Sequence, residues 1–325
     1  MTEIEFHEKT KRFLEHKEPF LFVVDFDKSE TLAYSFDEAE DHNIFFDING
    51  VSNVKKNTDH KIIELPPITV NPFPFAAYLS GFEKVVGHLK NGDSFLVNLT
   101  FPSEIISKMN LLSVFVKAHA PYKLLFQNQF TCFSPESFIK IKGDHIYAYP
   151  MKGTIDATIE NAEDLLMNNG KELQEHNTIV DLIRNDLSLV ARDVTVTKFR
   201  YLERIKKGAG EILQSSSEIR GRLRLDWKKN FGELLLKMLP AGSISGAPKA
   251  KTLDIIHSAE NYKRGFYTGI FGIFDGETID SGVAIRFIEK KDGSFWYKSG
   301  GGITHQSNVK EEYIELIDKI YIPTI

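Results

Sequence analysis

Two-residue turns separate neighbouring strand-like segments of this chain, and that spacing limits how its sheets can be connected. The segments 137–142 and 145–149 flank Gly143-Asp144, and further turns at Asp275-Gly276 and Asp292-Gly293 divide the region 265–303. A two-residue connection joins antiparallel strands, whereas parallel neighbours need a long crossover. The sequence therefore predicts an α+β protein with antiparallel sheets and not a doubly wound parallel one.

The periodicity of the remaining segments predicts where helices and strands alternate. Strands are expected at about 21–26 and 94–100, and helices at about 73–90, 102–116, 161–183, 227–239, 248–258 and 309–320. Neither a long Pro/Gly/Ser-rich linker nor an internal repeat divides the chain. We therefore treat residues 1–325 as one domain.

Composition excludes several classes of partner. The net charge is −5 and the bases are spread among the acids, so no basic stripe indicates nucleic-acid binding. No apolar run approaches the ~18 residues that suggest a membrane span, and the N-terminus has no apolar signal core. Cys132, the only cysteine, cannot form an intramolecular disulfide and is expected to be a buried structural thiol. A cytoplasmic protein fits these observations.

The register of the predicted hairpin brings two charged residues together. Around the Gly143-Asp144 turn, opposed positions sum to 287, so Glu136 faces Met151 and lies one position from Lys152. A lysine after an aromatic strand is usually exposed and inert. Partial burial would instead free its amine to act as a nucleophile or a base.

Two pairs of acids have helical spacing. Glu172 and Glu175 are three residues apart on one predicted helix, as are Glu312 and Glu315 on another. This spacing places both carboxylates of a pair on one helix face. Two such helices facing each other could hold Mg²⁺ through oxygen ligands. Ordinary solvated helix surface is the alternative.

Three further features could bind an anion. The glycine run Gly300–Gly302 exposes backbone N–H groups, although a bulge or tight turn also explains it. The segment 241–249 places small residues before a helix start, which suits a carboxylate or a plain cap equally. Arg286 follows an apolar run in a predicted strand near Tyr267, and its partner could be a protein carboxylate or a ligand.

Several short motifs, taken together, resemble the chorismate-utilising enzymes. They are Ser134-Pro-Glu136, Pro150-Met-Lys-Gly-Thr154, Asp181-Leu-Ile-Arg-Asn-Asp186, Gly242-Ser-Ile-Ser-Gly-Ala-Pro-Lys249, Tyr267-Thr-Gly269, Ile285-Arg286, Gly300-Gly-Gly302 and Glu312-x-x-Glu315, in the order that the family has them. The resemblance covers roughly residues 93–320. It leaves about 1–92 as a shortened N-terminal part and 93–325 as the catalytic part.

The resemblance implies a fold and a set of site residues. The fold is two packed antiparallel sheets ringed by helices, with the active site in a cleft between them. Magnesium would bridge the ring carboxylate of chorismate to Glu175 and Glu315, with Glu172 and Glu312 assisting. The other substrate-binding positions that match the family are Gly153, Thr154, Gln214, Ser243, Tyr267, Arg286, Gly301 and Gly302.

The choice of reaction within the family depends on a few positions. Lysine at position 152 resembles the members that make 4-amino-4-deoxychorismate on the folate and para-aminobenzoate pathway, where anthranilate synthases usually have alanine. There the lysine is the proposed nucleophile at ring carbon C2, and a glutamate matching Glu136 is the general acid. Water-adding members have a lysine base at the position of Leu96, and leucine cannot activate water. Ammonia-using relatives usually have glutamine there, so Leu96 departs from both.

Two alternatives remain open at this stage. One is the large subunit of an anthranilate synthase, which Lys152 disfavours, as does Gln214 in place of a usual histidine. The other is a chorismate-binding subunit without catalysis, which the retained Glu136, Lys152 and acid pairs disfavour. The chain has no glutaminase nucleophile motif. Ammonia is therefore expected from solution or from a separate glutamine amidotransferase subunit.

Overall fold

Two antiparallel sheets form the centre of the computed structural model, which describes residues 1–54, 65–207 and 210–324. Numbered in chain order, the strands are β1 (Phe20–Val24), β2 (Thr31–Ser35), β3 (Ile44–Ile48), β4 (Val51–Ser52), β5 (Thr69–Asn71), β6 (Leu96–Ile106), β7 (Tyr122–Phe126), β8 (Phe130–Ser134), β9 (Ser137–Lys142), β10 (His145–Ala148), β11 (Met151–Asp156), β12 (Arg192–Lys207), β13 (Gly210–Arg222), β14 (Gly246–Ala247), β15 (Ile270–Phe274), β16 (Thr278–Val283), β17 (Phe287–Lys291) and β18 (Ser294–Ile303).

Helices cover these sheets and connect their strands. They are α1 (Glu3–Glu15), α2 (Phe36–Asp41), α3 (Phe75–Lys90), α4 (Leu111–Lys117), α5 (Ala162–Met167), α6 (Gly170–Ser188), α7 (Phe231–Met238), α8 (Lys249–Ala259) and α9 (Val309–Asp318), with short 3₁₀ helices at Trp227–Asn230 and Gly242–Ile244. Within the described ranges, no helix is long and apolar enough to cross a membrane.

The strand order confirms the predicted fold class. The first sheet runs β11-β13-β10-β9-β16-β15-β1-β2, with β12 on the free side of β13, and the second runs β14-β6-β18-β17-β8-β7-β3-β4, with β5 beside β6. The turn at Gly143-Asp144 joins β9 to β10 in the predicted register, because His145 pairs with Lys142 and Tyr147 with Lys140.

The core explains why some strands are apolar on both faces. Every residue of β1 is buried. Phe20 and Phe22 pack with α1 and α7, whereas Leu21 and Val23 pack against the second sheet. A strand covered on both sides needs apolar residues at successive positions and not at alternate ones. The sheets thus form a sandwich with helices on its outer faces.

The helix predicted at 102–116 is wrong. The first five residues of that segment continue β6, and the helix begins only at Leu111 and covers Leu111–Lys117. Burial alternates from Phe101 to Ile105, which is the strand period. On one side of β6, Pro102 pairs with Lys298 of β18. On the other side, β14 and β5 pair with the two ends of β6 and neither extends to Pro102. The missing N–H of proline therefore breaks no ladder there.

Two other sequence predictions need correction. The helix predicted at 161–183 is divided into α5 and α6, with Asn168 and Asn169 between them. The chain also leaves β9 after β10, so Met151 pairs with Ser216 of β13 and does not face Glu136. Glu136 and Lys152 are nevertheless brought to one cavity, through β13 and not through the hairpin.

Candidate active site

Most predicted site residues border one cavity of about 320 Å³ between the two sheets. Its walls include Glu136, Lys152, Gly153, Thr154, Gln214, Ser243, Tyr267, Arg286, Gly301, Gly302 and Glu315. Glu172, Glu175 and Glu312 are not in that wall, but each belongs to a helix whose other residues approach it. A larger, more open depression of about 550 Å³ lies around His42 and Asn110 and contains none of the predicted residues.

Glu136 is held in the cavity wall between β8 and β9. Its Oε1 accepts a hydrogen bond of 2.7 Å from Ser243 Oγ, and its own N–H donates to Ser134 Oγ at 3.1 Å. Burial raises the pKa of the Glu136 carboxyl, against the opposing effects of the Ser243 hydroxyl and the charge of Lys152. A carboxyl whose pKa is raised can keep its proton nearer neutral pH, which is what a general acid requires.

Lys152 projects from an irregular part of β11. The pairing of β11 with β13 shifts register between Met151 and Thr154, and Gly153 within that bulge has φ +81°. A bulge re-aims the side chains beside it. The amine of Lys152 lies 3.9 Å from Glu175 Oε2, and its side chain is 36% exposed. The amine is thus in the cavity and beside one of the predicted acids.

The two acid pairs lie against glycines of the cavity wall. A Cβ atom at Gly153 would be 2.9 Å from Glu172 Oε2, and one at Gly301 would be 3.5 Å from both Glu312 Oε2 and Glu315 Oε1. The carboxylate oxygens are suitable ligands for Mg²⁺. Within the described residues, however, no three acid, histidine or cysteine side chains are gathered closely enough to hold one ion. Glu172 and Glu175 lie on α6, and Glu312 and Glu315 lie on α9.

Arg286 is positioned for an anion, although not from inside a strand as predicted. It lies between β16 and β17 in the left-handed region, with φ +51°. Its guanidinium carbon is 5.2 Å from the centre of the Tyr321 ring, and its Nε is buried with no hydrogen-bond partner in the described part of the chain. A buried unpaired donor on a cation is costly unless a ligand satisfies it.

Tyr267 and Gln214 complete the polar wall. Tyr267 is buried, and burial raises the pKa of its hydroxyl well above the usual range, so the phenol stays protonated as a donor. Gln214 pairs with Thr154 across β13 and β11, and its Nε2 contacts Met151 Sδ at 2.7 Å. Leu96 also borders the cavity, and its Cδ1 would lie 3.0 Å from a Cβ at Gly302.

Lys319 is a cavity residue that the sequence analysis missed. Its Nζ donates to Glu315 Oε1 at 2.6 Å and to the Gly300 carbonyl at 2.8 Å. Burial lowers the pKa of the Lys319 amine, although the charge of Glu315 opposes this effect. The only sequence signal was its i, i+4 spacing from Glu315, which is common on helix surfaces. Lys319 adds a cation on the α9 side of the cavity.

A family comparison now decides what kind of protein this is. A model described as chorismate binding enzyme matches residues 7–324. The chain belongs to this family. The resemblance inferred from the short motifs is therefore confirmed, and the match extends beyond them into the N-terminal part.

Individual relatives of this chorismate-binding chain include two different synthases. The chain is 50% identical over 319 residues to the uncharacterized PabA-like protein of Haemophilus influenzae, covering 98% of this chain and 96% of that protein. It is 30% identical over 277 residues to aminodeoxychorismate synthase component 1 of Bacillus subtilis, covering 79% of this chain and 58% of that protein. Anthranilate synthase component I of Streptococcus pneumoniae has a similar structure, with a TM-score of 0.67 at 26% identity over 79% of this chain and 59% of that one.

Proposed function

We propose that this chain converts chorismate and ammonia to 4-amino-4-deoxychorismate in a magnesium-dependent reaction. The observation that carries the proposal is that Lys152 and Glu136 border one cavity, where burial raises the pKa of the Glu136 carboxyl. A lysine nucleophile and a carboxylic general acid are the two groups that this reaction needs beyond substrate binding.

The steps balance with these two groups. The neutral amine of Lys152 attacks ring carbon C2, both ring double bonds shift (C1=C2 to C1=C6 and C5=C6 to C4=C5), and the C4 hydroxyl leaves with the proton of Glu136 as water. Ammonia then attacks C4, both double bonds shift back, and the C2–N bond breaks to release the neutral amine of Lys152. A proton lost from the new C4 ammonium returns to Glu136. The net change is replacement of the C4 hydroxyl by an amino group, with one water formed. The enolpyruvyl group is retained.

Magnesium would be held by Glu175 and Glu315, with Glu172 and Glu312 beside them. When bound, the ion would neutralise the ring carboxylate of chorismate. Because no three acid, histidine or cysteine side chains are gathered within the described residues, the carboxylate of bound chorismate would have to complete the site. Arg286 and Tyr267 would bind the enolpyruvyl carboxylate, since both present donors at the cavity and Arg286 Nε has no protein acceptor among the described residues.

The cavity contains no basic group at the position where a water-adding enzyme would need one. Leu96 borders the cavity there, and its side chain can only exclude water. Ammonia needs no such base, because it is already a nucleophile in its neutral form. This contrast supports amination of chorismate over hydroxylation.

A separate glutamine amidotransferase subunit is proposed as the physiological source of ammonia. The only cysteine, Cys132, is fully buried in β8, and burial raises the pKa of its thiol far above the usual range. It therefore cannot serve as a glutaminase nucleophile.

Product identification tests the proposal. The purified chain is incubated with chorismate, Mg²⁺ and isotopically labelled ammonium, and the products are separated and weighed by mass spectrometry. We expect a labelled product that retains the enolpyruvyl group. A labelled product that lacks that group and co-elutes with authentic anthranilate would overturn the proposal, as would an unlabelled isomer of chorismate.

A further inference from the structure

One motif of the family resemblance has no role in the chemistry described above. The segment Asp181-Leu-Ile-Arg-Asn-Asp186 lies on α6, and its final residue approaches the loop before α8. Asp186 Oδ2 accepts the Gly242 N–H at 2.9 Å, and Asp186 Oδ1 lies 2.7 Å from Lys249 Nζ. Lys249 Nζ also donates to the Met238 carbonyl at 2.8 Å. The ion pair therefore connects α6, the end of α7 and the start of α8.

Asp186 contacts the residue next to Ser243. A Cβ at Gly242 would lie only 3.0 Å from Asp186 Oδ2, so the close approach depends on glycine. The following residue, Ser243, donates its hydroxyl to Glu136 Oε1 at 2.7 Å. Only one backbone step thus separates the ion pair from the hydrogen bond on the proposed general acid.

The segment Gly242–Ile244 is also fixed at its Ile244 end. Arg264 Nη1 donates to the Ile244 carbonyl at 2.9 Å, and Arg264 is itself paired with Glu260 at 2.6 Å. Both side chains of that pair are almost fully buried. Because one end is anchored independently, loss of the Asp186 contact would release the Gly242 end and leave the rest of the segment in place.

A second acid on the same helix provides a contrast. Asp181 pairs with Arg184 at 2.7 Å, but these side chains are 59% and 49% exposed. Asp186 and Lys249 are 15% and 25% exposed. Exposed ion pairs have little effect on structure, whereas a shielded carboxylate that also accepts a backbone N–H constrains the chain around it.

We propose that the Asp186–Lys249 ion pair is a positioning element for Glu136. It fixes the Gly242 backbone so that the Ser243 hydroxyl stays on Glu136 Oε1, which leaves Oε2 to carry the proton. The transfer of this proton to the leaving hydroxyl rests on the proposed function. The alignment of Ser243 on Glu136 by the ion pair is independent of that function. The charged and titratable groups that face Glu136 from other elements are Lys152, Tyr267, Arg286 and Lys319, and the ion pair touches none of them in the described contacts.

A double-mutant cycle tests this proposal. Asp186→Ala and Ser243→Ala are made singly and together, and turnover is followed as chorismate consumed, whichever product forms. We expect each single variant to lower kcat about tenfold, and the double variant to be no slower than Ser243→Ala, because both act through one hydrogen bond. Asp181→Ala is the matched control on α6 and should retain wild-type kcat. Multiplicative losses in the double variant would overturn the proposal.

The pH profile separates positioning from simple destabilisation. The Ser243 hydroxyl stabilises the ionised form of Glu136, so its loss should move the alkaline limb of kcat to higher pH. The same displacement is expected in Asp186→Ala. If the alkaline limb of kcat moves in Ser243→Ala but stays at the wild-type pH in Asp186→Ala, the proposal is contradicted.

Two further measurements keep the test independent of folding and of turnover. If Asp186→Ala does not fold, Asp186→Asn takes its place, because its amide oxygen can still accept the Gly242 N–H while the charge facing Lys249 is lost. We then expect a smaller loss of kcat in Asp186→Asn, again with no further loss when it is combined with Ser243→Ala. Fully additive effects of the two substitutions on the activation free energy would overturn the proposal. Without turnover, the infrared C=O band of protonated Glu136, assigned by its loss in Glu136→Gln, should shift alike in Ser243→Ala and the Asp186 variant. A shift in Ser243→Ala alone would contradict the proposal, whereas failure to form 4-amino-4-deoxychorismate would affect only the proposed function.

Discussion

Gly153 provides a test in which structure, metal binding and activity are predicted from one substitution. Gly153 has φ +81°, and an added Cβ would lie 2.9 Å from Glu172 Oε2 and 3.0 Å from Leu166 Cδ1. The left-handed conformation costs a residue with a side chain about 1–2 kcal/mol. Leu166 is buried, so crowding there adds about 1–3 kcal/mol. The reduced freedom of the unfolded chain offsets about 0.4–1 kcal/mol.

Gly153→Ala is therefore expected to lower the free energy of unfolding by about 1–5 kcal/mol. The Glu172 carboxylate is the end of a flexible side chain and can move away, so the fold survives and the proposed magnesium pair is displaced. We expect the Mg²⁺ concentration needed for half-maximal activity to rise. Urea unfolding measures the first effect, and activity across a Mg²⁺ titration measures the second.

Two other glycines serve as controls for Gly153→Ala. Gly87 lies within α3 with nothing near its absent Cβ, so Gly87→Ala should stabilise the protein by about 1 kcal/mol with unchanged Mg²⁺ dependence. Gly301→Ala would make only ordinary contacts of 3.5 Å or more, so its stability should change by less than about 0.5 kcal/mol. A Gly153→Ala protein as stable as the wild type, with the same Mg²⁺ requirement, would refute the reasoning.

Three further outcomes follow from the cavity. Glu136→Gln should abolish activity yet stabilise the protein at neutral pH. Burial raises the pKa of Glu136 above its ordinary value of 4.5, so the stability of the wild type falls as the pH rises above 4.5. Glutamine does not ionise, so the variant has no such loss of stability. Thermal melts across pH measure this, and a variant less stable than wild type at pH 7 would count against it. Arg286→Lys should weaken chorismate binding about tenfold or more in equilibrium titrations, because an ammonium cannot reproduce the guanidinium's donors; an unchanged affinity would remove Arg286 from the substrate site. The purified chain should use ammonium but not glutamine, and glutamine-dependent turnover by this chain alone would contradict the need for an amidotransferase subunit.

Local turn chemistry predicted part of this fold correctly. The Gly143-Asp144 turn determined the β9–β10 register, because a two-residue loop permits only one pairing. The same reasoning failed beyond Ala148, where β13 becomes the neighbour of both β10 and β11. A strand that comes more than fifty residues later cannot be inferred from a hairpin alone.

Other errors came from reading single residues without their neighbours. Pro102 was read as the start of a helix, because sequence alone does not tell that one side of β6 is free there. The spacing of the acid pairs correctly placed each pair on one helix, α6 or α9. It could not show that a glycine of the cavity wall lies against each pair, because those glycines belong to β11 and β18. Lys319 was missed because its role depends on the carbonyl of Gly300, which no sequence pattern reveals.

The product formed by Lys152→Ala, compared with that of the wild type, tests the central claim most directly. Lys140→Ala is the matched control: that lysine is 37% exposed and pairs with Asp280 at 3.0 Å, outside the cavity wall. With chorismate, Mg²⁺ and labelled ammonium, the wild type and Lys140→Ala should form 4-amino-4-deoxychorismate. Lys152→Ala should bind chorismate and Mg²⁺ nearly as well but form the product far more slowly, and the wild-type peptide containing Lys152 should carry a trapped substrate adduct. Full activity in Lys152→Ala, or anthranilate as the wild-type product, would contradict the account.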